Sequence, residues 1–345
     1  MGQNNTVIFQ GEFTVSVIKI KNPPCVLGVG NAVGKEEFDG PLGGYFSFHS
    51  DDNRFGMKTW EKSEAEMVKI SYNNALSDAG IVSGDVGAIF AGDLMNQCTA
   101  SAYGLSDTNT PYFGLYGACS TMAEAIMLGA LTVSGGNFKA VASCAASHNC
   151  TAERQFRFPV EYGGQRTPTS QRTVTAAACM ILSQGESCMY VRTVSPGRIF
   201  DAGINDINNM GAAMAPAAYD TLFNFFTSTG CAPKDFDLIA TGDLGFEGAE
   251  ILKDLMKEKN YDISAVYNDC GLMIYDREHQ DVHAGGSGCG CGAAVLCSYI
   301  ADKFRNGEFN NVLFIGTGAL MSPLTVFQGE TIPAIAHLVH FSSKK

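Results

Sequence analysis

The chain echoes itself, and this limits what it can fold into. The run Asp85-Val86-Gly87-Ala88-Ile89-Phe90-Ala91-Gly92-Asp93-Leu94 returns as Asp235-Phe236-Asp237-Leu238-Ile239-Ala240-Thr241-Gly242-Asp243-Leu244. The run Ala140-Val141-Ala142-Ser143-Cys144-Ala145 returns as Val312-Leu313-Phe314-Ile315-Gly316-Thr317-Gly318-Ala319. Within each pair lies a small-residue turn that opens a helical pattern: Gly117-Ala118-Cys119 in one, Gly288-Cys289-Gly290-Cys291 in the other. Three echoes in one order indicate a duplicated α/β unit. The expected halves are residues 1–195 and 196–345, each long enough for its own core.

Local patterns supply the elements. Apolar spacing with early acids predicts a helix over Thr59–Ala79, stopped by Gly80. Short apolar runs predict strands at Val86–Ala91, Ala140–Cys144, Val174–Leu182 and Met189–Val194. Residues 6–20 alternate as a strand or hairpin does. Residues 150–172 read as one long polar and aromatic loop, carrying Arg154, Phe156, Arg157, Phe158, Tyr162 and Arg166. A loop of that length in a folded domain usually serves function.

Composition removes several classes of function. A net charge of -12 repels phosphate backbones, so nucleic-acid binding is not expected. No apolar run is long enough to cross a bilayer. The 12 cysteines are scattered, many of them in apolar runs, as small buried hydrophobes in a reducing compartment are. Cys289-Gly290-Cys291 lacks the further Cys or His of a zinc site, so no metal and no cofactor is expected.

Cys119 follows an apolar run and precedes a helical one, so it stands where a strand gives way to a helix. Unpaired N–H groups at a helix start bias a thiol toward thiolate and equally favour a bound carboxylate. Ligands of α/β units lie beyond the carboxyl ends of the strands. Two pseudo-symmetric halves therefore bring Asp93, Cys119, His148, Asn268 and Ser287 toward one pocket. For each there is also a structural role: Cys119 as filling, His148 as a strand-end hydrogen bonder, Asp93 and Asp243 as turn caps.

A cysteine at a strand–helix turn in a duplicated chain resembles the thiolase and ketoacyl synthase superfamily. A narrower likeness lies in Ala91–Gln97, Gly117–Thr121, Ser147–Asn149, Thr151–Arg157, Met214–Ala218, Asn268–Tyr275 and Ala284–Cys289. These motifs, spread from about Pro23 to Phe341, are similar to the stage V sporulation protein AD family. The resemblance implies duplicated thiolase-like halves in five layers, αβαβα, with pseudo-twofold symmetry, and a homodimer. It also implies binding of dipicolinic acid (pyridine-2,6-dicarboxylate), free or as a calcium chelate, for uptake into the developing endospore and release at germination. The implied partners are membrane proteins of the same stage V sporulation A operon, and the implied location is peripheral to the inner spore membrane.

Thiolase chemistry needs a base and oxyanion donors beside the nucleophile. In the expected alignment Ser287 stands where thiolases carry His, and Asn268 where relatives carry His or Asn. Neither is a general base near neutral pH, so the site reads as degenerate and non-catalytic. A shift of register toward His283 restores a base, and with it the alternative of an acyl-thioester transferase using Cys119. A scaffold for spore membrane proteins that holds no ligand is the other alternative. For a dicarboxylate, the helix start at Cys119, Ser120 and Thr121 is expected to take one carboxylate. Arg154, Arg157 and Arg166 are expected to reach the other, while Phe156, Phe158 and Tyr162 cover the ring. His148, Asn149, Asp93, Asn268 and Ser287 complete the expected ligand-binding set.

Overall fold

The computed structural model describes residues 17–157 and 162–345. The first half runs β1 (Ile18–Lys19), β2 (Cys25–Val33), α1 (Lys35–Phe38), α2 (Trp60–Ala79), β3 (Ala88–Asp93) and α3 (Thr99–Gly104). It continues through β4 (Tyr112–Gly114), α4 (Thr121–Ser134), β5 (Ala140–Ser147), α5 (Asn149–Phe156), β6 (Arg172–Thr173) and β7 (Ala176–Ser183). The second half runs β8 (Tyr190–Ser195), α6 (Met210–Thr229), β9 (Leu238–Thr241), α7 (Gly245–Glu258), β10 (Tyr267–Asp269) and α8 (Cys270–Met273). It closes with β11 (Gly286–Ser287), α9 (Cys289–Val295), α10 (Ala301–Arg305), β12 (Asn311–Ala319), α11 (Pro323–Phe327) and β13 (Ala334–Ser342).

The expected helix is present, because both of its end signals operate. Thr59 accepts a hydrogen bond from the Lys62 N–H, and Gly80 closes the helix at φ +67. The long loop is shorter than expected, since its first third forms α5. His148 caps that helix by accepting from the Cys150 N–H at 3.1 Å. Of residues 6–20, Ile18–Lys19 forms β1 against β8, and positions 6–16 lie outside the described residues.

The duplication is written in the strand order. The sheet runs β10-β9-β12-β13-β8-β2-β7-β5-β3-β4. Read outward from the middle, β2, β7, β5, β3 and β4 match β8, β13, β12, β9 and β10. The pairings match too: β3 is parallel to β4 and β5, as β9 is to β10 and β12, and the remaining neighbours are antiparallel in both halves. The halves touch edge to edge through one pair, Cys25 opposite Tyr190. β8, on the N-terminal side of the expected division at 195, pairs with β13.

Three apolar cores separate the five layers of this thiolase-like fold. One lies between α2 and the first sheet, around Met67, Tyr72 and Ile89. A second lies between α6, α7 and the second sheet, around Phe225, Leu252 and Leu313. The central core holds α4 and α9 between the sheets, with Met122, Ile126, Val295 and Phe314. Each such side chain contributes about 2 kcal/mol on burial. α9 is buried throughout and α4 along most of its length, and the turns that open them meet at the seam between the halves.

Candidate functional site

The Cys119 turn is held by contact, not by side-chain choice alone. Ala118 takes φ +49, a left-handed conformation that costs an L-residue roughly 1 kcal/mol. β12 presses against the turn at Gly318: a Cβ there would lie 2.3 Å from the Gly117 carbonyl. Glycine at 318 is therefore what lets β12 approach Cys119.

Cys119 is half-buried. The carboxylate of Asp243, which follows β9, acts on its thiol. That carboxylate accepts from the Gly288 N–H at 2.8 Å and from the Thr317 hydroxyl at 2.8 Å. Gln171 donates to the Asp243 carbonyl at 2.8 Å and to that of Gly286 at 2.7 Å, tying the loop before β6 to both turns. Burial pushes the Asp243 carboxyl up to about 6, which leaves it ionised at neutral pH. Burial first, then the charge of Asp243, pushes the Cys119 thiol well above its ordinary range. The expected bias toward thiolate is thus overturned: burial, with the carboxylate beside the thiol, outweighs the helix start.

This predicts a reactivity order. Iodoacetamide at pH 8 should label the exposed Cys188 well before Cys119, as peptide mapping will show. The substitution Asp243→Asn removes the repelling charge and should speed Cys119 labelling at least threefold; slower labelling would mean that Asp243 activates the thiol.

Two connected hollows lead to Cys119. The inner one, about 50 Å³, is apolar and lined by Leu94, Tyr116, Cys119, Phe156, Ile207, Met210, Ser287 and Met321. The outer one, about 450 Å³, is lined by Asn149, Arg157, Tyr162, Arg166, Ser170, Arg172 and Asn208, with Glu153 and Asp281. Arg157 and Ile207 border both, so they form one funnel between the halves.

The outer hollow is cationic in an unusual way. Arg157 gives Nη2 to Glu153 at 2.8 Å, while its Nε and Nη1 are buried with no partner among the described residues. Arg166 pairs with Asp281 through Nη2 at 3.3 Å and leaves Nη1 buried and unpartnered. Arg172 reaches Glu36 at 3.5 Å and leaves Nε unpartnered. A buried guanidinium N–H without an acceptor costs about 1–3 kcal/mol. Four such nitrogens belong to the three arginines that line this one hollow.

The structure thus brings together Cys119, Ser287, Asn149, Phe156, Arg157, Tyr162 and Arg166 from the expected set. It places the others elsewhere. Asp93 is fully buried, accepting from the Met95 N–H and from both the N–H and hydroxyl of Ser101, and touches neither hollow. Ser120 and Thr121 spend their hydroxyls on the Gly117 and Ala118 carbonyls and are fully buried, so they offer a carboxylate nothing. His148 lies under Trp60 with Nε2 against the Asn53 carbonyl, and burial pushes it down to about 4. Arg154 turns to the surface and pairs with Glu61 of α2. Asn268 is exposed on the edge strand β10 and accepts from the Asp269 N–H. Phe158 lies outside the described residues. Arg172 and Asp243 belong to the site although the sequence reading did not select them.

Two α/β halves closing on a cysteine at a strand-to-helix turn define the thiolase-like class, and solved structures agree. The 3-oxoacyl-(acyl-carrier-protein) synthase III of Aquifex aeolicus matches with TM-score 0.59 at 12% identity, covering 92% of this chain and 99% of that one. OleA of Xanthomonas campestris matches with TM-score 0.58 at 12% identity, covering 94% and 99%. At such identity the likeness is one of fold. Within that class the chain belongs to the stage V sporulation protein AD family, whose profile matches residues 14–342. Stage V sporulation protein AD of Bacillus subtilis (strain 168) is 41% identical over 321 residues, 93% of this chain and 95% of that one. Its role therefore lies in sporulation. Among the described residues no helix is long and apolar enough to cross a membrane.

Proposed function

We propose that this protein binds dipicolinate in the funnel, for its uptake into the developing endospore and its release at germination, and that it does no acyl transfer. The observation that carries the reading is the set of unpartnered guanidinium N–H groups of Arg157, Arg166 and Arg172 around the outer hollow. A flat dianion supplies acceptors to two of them at once, with Tyr162 beside its ring. Glu153 and Asp281 on the same wall are where a calcium ion arriving with the ligand would meet carboxylates.

The partners proposed are the membrane proteins of the stage V sporulation A operon, at the inner spore membrane. A homodimer is proposed across β4, the end strand of the sheet, where Tyr112 and Phe113 are exposed beside Tyr103 and Tyr116. A monomer in sedimentation at micromolar concentration would exclude it.

A second reading, acyl transfer, is favoured by the apolar inner hollow that ends on Cys119. Against it stands the chemistry of the turn, where burial and then Asp243 hold the thiol protonated, and Asp243 occupies the Gly288 N–H. Calorimetric titration with dipicolinate, with and without calcium, beside intact mass after exposure to acyl-CoA, separates the readings. Saturable heat without an adduct is expected; an adduct on Cys119 without dipicolinate binding would reverse the conclusion. The absence of both would leave a scaffold that holds no ligand.

A further inference from the structure

Behind the wall of the outer hollow lies a carboxyl that anion binding does not itself require. Glu37 of α1 is 1% exposed. Its Oε1 accepts from the Thr175 N–H at 2.9 Å and from the Tyr275 hydroxyl. Its Oε2 is buried with no partner among the described residues, and lies so close to Gly34 that a Cβ there would stand 2.7 Å from it. The charged and titratable groups acting on it are Arg172 of β6, Tyr275 beyond α8 and Glu36 of its own helix. Arg172 faces two ways. It lines the hollow, and its Nη2 reaches Glu36, the neighbour of Glu37 on α1, at 3.5 Å, so its charge also acts on Glu37.

We propose that anion binding in the hollow is coupled to protonation of Glu37 through Arg172, so that each bound dianion draws part of a proton from solvent onto this carboxyl. The inference rests on the anion reading above and adds its regulation. With the hollow free, the Arg172 guanidinium supports a negative Glu37. A dianion beside Arg172 competes for that guanidinium and adds its own negative field. Both effects favour the neutral acid, while Tyr275 and Thr175 still have Oε1 to donate to. Burial already pushes the carboxyl up to about 7, against the pull of Tyr275, Thr175 and Arg172, so a further rise changes its occupancy at neutral pH.

The sign follows from linkage. A proton taken up on binding means that affinity falls as pH rises. A rise of about one unit in the Glu37 pKa gives uptake of about 0.4 proton per ligand at pH 7 and about threefold weaker binding at pH 8 than at pH 7. The experiment is calorimetric titration of the full chain with dipicolinate at pH 7, in Bis-Tris and in Tris, which do not compete for an anion site and differ in ionisation heat. The observed heats should differ by the amount that this uptake requires. In Glu37→Gln, which keeps an acceptor for Thr175 and Tyr275, the difference should vanish. If that variant does not fold, Arg172→Gln at saturating ligand serves: it removes the Arg172 part of the coupling, so the difference between buffers should shrink. Equal heats in both buffers, or uptake retained in the folded variant, would overturn the coupling and leave the anion reading standing. No saturable heat in either buffer would overturn the anion reading, and the coupling with it.

Discussion

Replacing Arg157 by glutamine should weaken dipicolinate binding at least thirtyfold while leaving the fold intact. Arg157 borders both hollows, and two of its three guanidinium nitrogens have no partner among the described residues. A hydrogen bond to a charged group contributes about 2 kcal/mol, equivalent to about thirtyfold in affinity. Its Glu153 pair joins the last turn of α5 to the residue that follows it, and glutamine keeps an N–H donor for Glu153 there. Stability should therefore change little. Arg154→Gln is the control: that side chain pairs with Glu61 on the surface and should leave the Kd unchanged. Calorimetry on the two variants decides the matter, and equal Kd values would move the ligand away from this hollow.

The second large effect concerns stability. Asp243→Ala should cost about 3 kcal/mol, because two segments lose their common acceptor together. The Gly288 N–H that opens α9 and the Thr317 hydroxyl of β12 both donate to this one carboxylate, beside the Cys119 turn. Each is left buried without its partner, and a cavity opens at the seam of the halves. A fall in Tm of about 4 °C is expected in a thermal melt. A change under 1 °C would mean that the seam is held elsewhere.

How far the sequence carried can be judged from these residues. The duplication was legible because apolar runs and small-residue turns survive as patterns, and the strand order repeats them strand for strand. The α2 helix was legible because Thr59 and Gly80 are local signals. Cys119, Asn149, Arg157 and Ser287 were legible as members of motifs.

The choice between two echoed aspartates was not. Asp93 and Asp243 occupy matching places, but the chain after Asp93 turns back to fill its carboxylate with Ser101, whereas Asp243 is left facing the Cys119 turn. Asn268 failed for a reason of pleat and position. It is exposed on an edge strand, while the next residue, Asp269, points inward. Arg172 read as the end of a loop, and only its pairing opposite Gly286 brings it to the wall of the hollow. The Glu37–Tyr275 contact joins residues far apart in the chain, and no local pattern announces it.

The central claim is that an old nucleophile pocket now holds a dicarboxylate by its arginines. A crystal structure of the protein grown with dipicolinate tests it most directly. The account predicts ring density in the outer hollow, with one carboxylate within hydrogen-bond distance of Arg157 and the other reaching Arg166 or Arg172, and an unmodified Cys119. Ligand density on another face, or an empty hollow with an acyl group on Cys119, would contradict it.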